Sequence, residues 1–575
     1  MNYSADIKKL PRHFLPEDFS VTTWEALEPH FKNLLERSIN SDAELQQWLK
    51  DGSELEAIIS EDACWRQIKM TCDTENKELE ESFVFFMMEI QPKIQPYSDK
   101  LNKKLINCPF TKELDQEKYF TYLRTVKKNI DLFCEENIPI QAHLNVLQQQ
   151  FGTISGKMTV EVNGQEYTLQ QATKFLENND RSLRESVYRK INEKRLQNKK
   201  ELDDLFSILI EKRNLVSLNA GFPNYRDYRF MEMGRFDYTK EDCFQFHEAV
   251  KQHVLPLVNE IYERKKRKLG VDSLRPWDLE AHSEKEKTLT PFKSGEELVK
   301  KSIACFNKLN PFFGDCLQKM KTMGRFDLDS RKGKAPGGYN CPLIESGAPF
   351  IFMNAAGQMD DVTTMVHEGG HAVHSFLVHS LELSAFKEYP TEIAEVASMA
   401  MELFSMDYWN VFFSSEEELR QAREHQLERV ITIFPWIATI DKFQHWVYEN
   451  PKHSFDERTE RWISIMNEFT PPSLDISGLE EYRRYFWQKQ LHLFEVPFYY
   501  IEYGIAQLGA IGLWKQFKSN KEVALNNYIN TLALGGTQTL PRLFQAAGIS
   551  FNFSPETVAD LISFVKDEMS NIPSN

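Results

Sequence analysis

Two histidines and a glutamate in His367-Glu368-Gly369-Gly370-His371 offer the most chemistry in this chain. They spell H-E-x-x-H inside Asp361–Phe376, a stretch with helical patterning. Residues four apart lie about 40° past a full helical turn, so both imidazoles leave one face. Imidazoles so disposed can hold one zinc ion from one side. Glu368, between them, can reach a water on that ion. With 14 histidines in 575 residues, chance supplies only on the order of a few hundredths of such a match per chain. Catalytic zinc usually takes three protein ligands and leaves one position for water, so the motif calls for a third donor.

The spacing of that donor separates the branches of zinc peptidases. A metzincin needs glycine at 374 and histidine at 377; this chain has His374 and Leu377. Downstream, Glu392 and Glu395 stand out in the stretch from Pro390 to Glu402. That stretch is rich in helix formers, and Ala394, Ala397, Ser398 and Ala400 are small enough to let a second helix approach the first. Glu392 and Glu395 are three apart and can face the same way, so spacing favours neither. Ser398 and Glu402 follow Glu395 by three and seven and can share its face, where a hydrogen bond could orient a metal ligand. Gly369 and Gly370 each cost a helix roughly 1 kcal/mol against alanine. Close approach of substrate or of a neighbouring helix would account for that cost; the alternative is a locally tolerated weakness. His374 and His379 are read as packing or surface residues.

The elements that must carry these residues are mostly helices. Ser41 and Glu44 read as a capping box opening a helix through Leu49. Leu79–Met88 and Lys118–Phe133 continue with helix-spaced apolar positions. Thr159–Leu169 alternates around Asn163-Gly164, a hairpin signal, and Thr168 with Gln171 reads as the cap of the next helix. Long helices are expected over Arg181–Lys199, Leu202–Val216, Lys240–Leu269, Gly295–Asn307 and Glu416–Ile433. Gly333–Asn354 breaks the trend with glycines, prolines and the apolar run Phe350–Met353, which reads as loop plus strand beside the motif helix. That strand is either an internal one or an exposed edge able to pair with an extended peptide; Gly337-Gly338-Tyr339 reads as a surface turn or a mobile loop. The expected division is a helical domain over 1–195, with its hairpin near 158–169, and a catalytic domain over 196–575.

A net charge of −16 argues against nucleic acid as a partner, because phosphate binding needs clustered Lys and Arg. The basic run Arg264–Lys268 reads as a solvated helix face. At 41% apolar and 27% charged the chain is of ordinary globular composition, and its 41 phenylalanines read as helical core. Eight scattered cysteines with no C-x-x-C pair point to free thiols in a reducing compartment, and no thiolate metal site is expected. Met1–Leu10 lacks the apolar core of a signal peptide. No window has the ~18 apolar residues of a membrane helix. Val430–Ile440 comes nearest and carries Pro435. A cytoplasmic protein without a membrane partner is expected.

The segment from Asp361 to Ser375, followed by Ala394-Glu395-Val396-Ala397-Ser398, resembles the oligoendopeptidase F and thimet oligopeptidase family of zinc metallopeptidases. The resemblance covers about residues 195–565. It implies a mainly α fold, a large helical zincin-type (gluzin) metallopeptidase with a small β-sheet next to the active-site helix and a deep substrate channel. It implies one Zn2+ per chain, held by His367, His371 and Glu395. It also implies hydrolysis of internal bonds of short oligopeptides by a metal-activated water, with Glu368 as general base. The segment His492–Tyr503 resembles the family's His/Tyr substrate-binding element. Tyr500 and Tyr503, three apart on a helix, can point two hydroxyls into one cavity and donate to a developing oxyanion; His492 can add a donor. One departure is Gly369, where many relatives carry a bulkier residue. The alternatives are a related carboxypeptidase or peptidyl-dipeptidase, or a non-catalytic helical protein stabilised by zinc.

Overall fold

A computed structural model describes residues 4–283, 286 and 288–572. Met1–Tyr3, part of the N-terminal stretch considered above, lie outside the described residues. Helices make up most of the chain, as the apolar periodicity predicts. Local caps account for several starts. Ser41 accepts from the Glu44 N–H and opens a helix, Asp42–Cys72, that runs well past Leu49. Thr168 and Gln171 form the reciprocal capping box. The predicted Lys240–Leu269 helix is present, with a π-turn at Val250–Val254 dividing it.

The residues group into two compact units. The first comprises Met1–Phe133, Leu289–Arg423 and Ala506–Phe551; the second comprises Cys134–Thr288, Glu424–Ile505 and Asn552–Asn575. Each is built from segments far apart in sequence. The expected boundary near 195 falls inside the helix Arg181–Gln197, within the second unit.

In the first unit, Leu27, Phe31, Trp48 and Phe86 pack in one apolar cluster. This unit also holds the three-stranded sheet. Its strands are β3 (Phe326–Asp329), β4 (Tyr339–Cys341) and β5 (Phe350–Ala355), in the order β3-β5-β4. β5 runs parallel to β3 and antiparallel to β4. The run Phe350–Met353 is therefore the central strand, paired on both sides, and the reading of it as an exposed edge is corrected. Its four apolar residues in a row are all buried, as a strand covered on both faces requires. The buried Lys334 ammonium donates to the carbonyls of Asp327, Asp329 and Met353 and to the Asp327 carboxylate, tying β3 to β5.

In the second unit the hairpin is β1 (Thr159–Val162) and β2 (Gln165–Thr168). Asn163 and Gly164 both take positive φ, 53° and 80°, as a two-residue hairpin turn matching strand twist demands. Two side chains of the basic run pair with acids, Arg264 with Glu428 at 2.7 Å and Lys268 with Glu424 at 2.7 Å. Among the described residues all eight cysteines are free thiols, and no helix is long and apolar enough to cross a membrane.

Candidate metal centre and tyrosine element

The motif helix, Met359–Val378, starts where the Asp361 carboxylate accepts from the backbone N–H of Ala356 and Gln358, both at 2.8 Å. Beside it packs the glutamate helix, Thr391–Ser405. His367 Nε2 lies 3.4 Å and His371 Nε2 3.8 Å from one carboxylate oxygen of Glu395. Donor atoms of these three residues all lie within 4.8 Å of one another. Ligands at zinc bond lengths of ~2.0–2.2 Å in a tetrahedron stand roughly 3.3–3.6 Å apart, so the donor set suits such an ion. Glu392, one turn earlier, is also buried, but Glu395 is the acid that meets both imidazoles.

Glycine sets how closely the two helices meet. A Cβ on Gly370 would stand 2.6 Å from the Ala397 carbonyl oxygen and 2.6 Å from Ser398 Cα. Both are backbone atoms, so no side-chain rotation could relieve the clash. A Cβ on Gly369 would stand 2.6 Å from the Phe306 ring. The phenylalanine thus fills the space that a bulkier residue at 369 would take, and the motif helix stays regular. Tyr528 donates its hydroxyl to the same Ala397 carbonyl at 2.8 Å.

A second layer of hydrogen bonds orients the donors. His367 Nδ1 stands 2.7 Å from Glu402 Oε1. The carboxylate can only accept, so Nδ1 carries the proton and Nε2 faces Glu395. The Ser398 hydroxyl lies 3.2 Å from Glu395 Oε2. Asn340 on β4 donates to the Glu368 carbonyl at 3.2 Å, joining sheet and motif helix. His374 is fully buried and stacks on Tyr389 with ring centroids 3.6 Å apart, as expected of a packing residue.

Three carboxylates share this buried place. Burial pushes Glu368 up to about 7; His367 opposes that shift, and Glu395 and Glu402 add to it by repulsion. Burial disfavours charge on His367, but the hydrogen bonds it donates to Glu395 and Glu402 carry it well above the ordinary histidine range. Burial takes His371 down to about 4. A gathering of buried acids that draws a proton onto one imidazole is a site whose charge a dication would balance.

The predicted tyrosine element lies in the second unit. His492 sits on a short helix, Leu491–Glu495, and Tyr500 opens the helix Tyr500–Ser519. Ring centroids of His492 and Tyr500 are 4.8 Å apart, of His492 and Tyr503 6.0 Å, and of Tyr500 and Tyr503 5.5 Å. The turn before this helix contains Phe498 at φ 67°, a left-handed conformation rare for a bulky residue. Its N–H donates to Gln444 Oε1 at 2.5 Å, and its carbonyl accepts from Arg235. Arg235 also pairs with Glu502, 2.9 Å away and buried in the first turn of the helix.

The tautomer of His492 follows from its neighbours. The Trp436 indole N–H donates to Gln490 Oε1 at 2.8 Å, which turns the Gln490 amide nitrogen toward His492 Nδ1, 2.7 Å away. Burial lowers His492 to about 4, so the ring is neutral near pH 7. Nδ1 accepts, and Nε2 carries the remaining hydrogen as a donor. Burial pushes the Tyr500 phenol up to about 12, against the opposing indole of Trp436, so it too stays a neutral donor.

Residues 174–560 match peptidase family M3, well over half the chain, and residues 14–133 match the peptidase M3 N-terminal domain. The chain belongs to peptidase family M3. Peptidases of that family are metallopeptidases. An oligoendopeptidase F homolog of Borreliella burgdorferi is 23% identical over 467 residues, covering 78% of this chain and 75% of the relative. Oligopeptidase PepF of Bacillus subtilis is 22% identical over 393 residues, 67% of this chain and 56% of the relative. Among solved structures, an X-ray structure assigned to oligoendopeptidase F superposes with a TM-score of 0.89 at 26% identity, covering 98% of this chain and 99% of that chain. PZ peptidase A with an inhibitor gives 0.89 at 24% identity, covering 97% and 99%; at that identity the likeness bears on the fold. The mainly α fold of the M3 family is the one observed.

Of the residues singled out in the sequence of this M3 chain, His367, Glu368, His371, Glu395, Ser398 and Glu402 lie together in the structure. It also groups His492, Tyr500 and Tyr503. Nothing in the sequence points to Phe306, Tyr528, Gln490 or Trp436. None of these has a local signature, because each acts on a residue distant in sequence.

Proposed function

We propose that the chain is a zinc-dependent endopeptidase that hydrolyses internal bonds of short oligopeptides. One observation carries the reading: two imidazoles and the Glu395 carboxylate converge from two helices, with a buried glutamate, Glu368, between the histidines. His367, His371 and Glu395 would hold the ion, which when bound supplies Lewis acidity to water and to the peptide carbonyl oxygen. Glu368 takes a proton from the water as oxygen bonds to the carbonyl carbon. It returns that proton to the amide nitrogen as the C–N bond breaks. Burial raises its proton affinity above that of an ordinary carboxylate, the direction that lets one group serve both as base and as acid. Glu402 fixes the donor face of His367, and Ser398 steadies Glu395.

Tyr500, Tyr503 and His492 are proposed as neutral donors to substrate or to the oxyanion of the tetrahedral intermediate. The family resemblance of their segment supports this, as does the tautomer that Gln490 imposes. The oligopeptide substrate class and a cytoplasmic location rest on the resemblance and on the names of the relatives. The test is mass spectrometry of products from a mixed peptide library, including peptides blocked at either end, with metal analysis of the same sample. Internal cleavage of doubly blocked peptides with zinc bound is the expected result. Cleavage confined to free C-termini would reassign the chain to carboxypeptidase or peptidyl-dipeptidase chemistry.

A further inference from the structure

A second group of metal-ligating side chains lies entirely within the second unit, and the peptidase chemistry does not use it. Cys243 and His247 are four apart on the helix Lys240–Ala249; Asp441 and His445 are four apart on the helix Glu416–Glu449. Each pair therefore shares one face of its helix, and the two faces meet. Exposure is 0% for Cys243 and Asp441, 1% for His247 and 2% for His445. Asp441 Oδ2 stands 2.8 Å from His247 Nε2 and 3.3 Å from His445 Nε2. The donor atoms of Cys243, Asp441 and His445 all lie within 4.8 Å of one another.

This is costly chemistry for a protein interior. His445 Nδ1, His247 Nδ1 and Asp441 Oδ1 are buried without a protein hydrogen-bond partner. Buried polar groups are normally paired or coordinate metals. A structural role that needed only packing would be met by apolar side chains of the same size.

We propose that Cys243, Asp441 and His445 form a second zinc site, with His247 hydrogen-bonded to the Asp441 carboxylate to orient it. The donors fit in kind. A thiolate and a carboxylate cancel the charge of a dication, and a sulfur, nitrogen and oxygen set suits zinc. Tetrahedral donors around zinc stand roughly 3.3–3.8 Å apart. The Asp441–His445 pair is already at that separation, and the widest pair closes by about 1.5 Å at most. Binding would release the thiol proton of Cys243 as the sulfur–metal bond forms. The setting fits as well. The rings of Phe244, Phe498 and Phe230 surround His445 with centroids at 5.0, 5.3 and 5.9 Å. Phe244 is itself 37% exposed, which gives an ion a short path from the surface. The ion would clasp two helices far apart in sequence, and its assignment is independent of the peptidase reading.

The test separates the two sites by their ligands. Zinc per chain is measured in the full-length protein and in the double variant His367→Ala, His371→Ala; about two ions and about one are expected. The protein is also reloaded with cobalt(II), since of the two sites only the one containing Cys243 can give a thiolate-to-cobalt charge-transfer band in the near ultraviolet. That band should persist in the double histidine variant and vanish in Cys243→Ser. No metal in the double histidine variant, or a cobalt-loaded wild type without the thiolate band, overturns the proposal. If Cys243→Ser fails to fold, Cys64→Ser and Cys341→Ser decide: both should keep the band, and its loss in either overturns the proposal.

Discussion

Gly370→Ala isolates the close packing of the two site helices. The added methyl would sit 2.6 Å from two backbone atoms of the glutamate helix, about 0.8 Å inside the 3.4 Å where ordinary contact begins. No rotamer can relieve this, so the helices must part by a comparable distance. Glu395 rides on the displaced helix, and its 3.4 and 3.8 Å approaches to the imidazoles lengthen. Alanine gains roughly 1 kcal/mol of helix propensity, and overpacking costs about 1–3 kcal/mol. The net is a loss of roughly 0–2 kcal/mol in stability. Zinc affinity, read by competition with a chelator, should fall about 10–100-fold, as when groups supporting a ligand are removed. Gly52→Ala is the control. It too lies inside a helix, but nothing stands within 4 Å of its missing Cβ, so alanine there should stabilise by about 0.5–1 kcal/mol. If Gly370→Ala instead matches Gly52→Ala in denaturant unfolding and keeps its zinc affinity, the glycine does not set the helix spacing.

Glu368→Gln should keep zinc at the wild-type stoichiometry and lose at least 10²–10⁴-fold in kcat, measured on a fluorogenic peptide; near-normal turnover would remove Glu368 as the base. Glu402→Gln can still accept through its amide oxygen but loses the charge that makes His367 basic. About 10–100-fold weaker zinc binding is expected by chelator competition. Tyr500→Phe and Tyr503→Phe test the oxyanion role. A true donor costs about 10²–10³ in kcat, and an effect on KM alone would assign the phenol to ground-state binding. His492 predicts a pH effect on stability. Its folded pKa of about 4 lies below the unfolded value near 6.5, so the unfolded chain binds the extra proton between those values. Stability is intact above pH 6.5 and declines as pH falls toward 4. His492→Gln should flatten that part of a Tm-against-pH curve, and an unchanged slope would contradict the burial argument.

Much of the candidate metal centre was legible because its signals are local. Helix periodicity and i,i+4 spacing identify the two imidazoles, and small residues mark the partner helix. Choosing Glu395 over Glu392 was beyond spacing, since residues three apart share a face and only the docking of the helix selects one. Phe350–Met353 could equally be edge or centre, because an apolar run says that both faces are covered but not how many neighbours a strand has. The boundary near 195 missed the compact units because the chain leaves and re-enters each of them, and no composition shift records a return. Gln490 and Trp436 set a tautomer through an amide and an indole 54 residues apart. A search for C-x-x-C pairs is blind to Cys243, whose neighbours come from a helix some two hundred positions later.

Phe498 has a consequence for how freely its neighbourhood can drift in evolution. Its left-handed backbone costs of order 1–3 kcal/mol, yet its ring is wholly interior, against Phe230, Tyr448 and His445. Glycine would relax the main chain and empty the interior; a branched residue would fill the interior and worsen the main chain. The position is boxed in by two incompatible demands, and Gln444 and Arg235 are committed along with it.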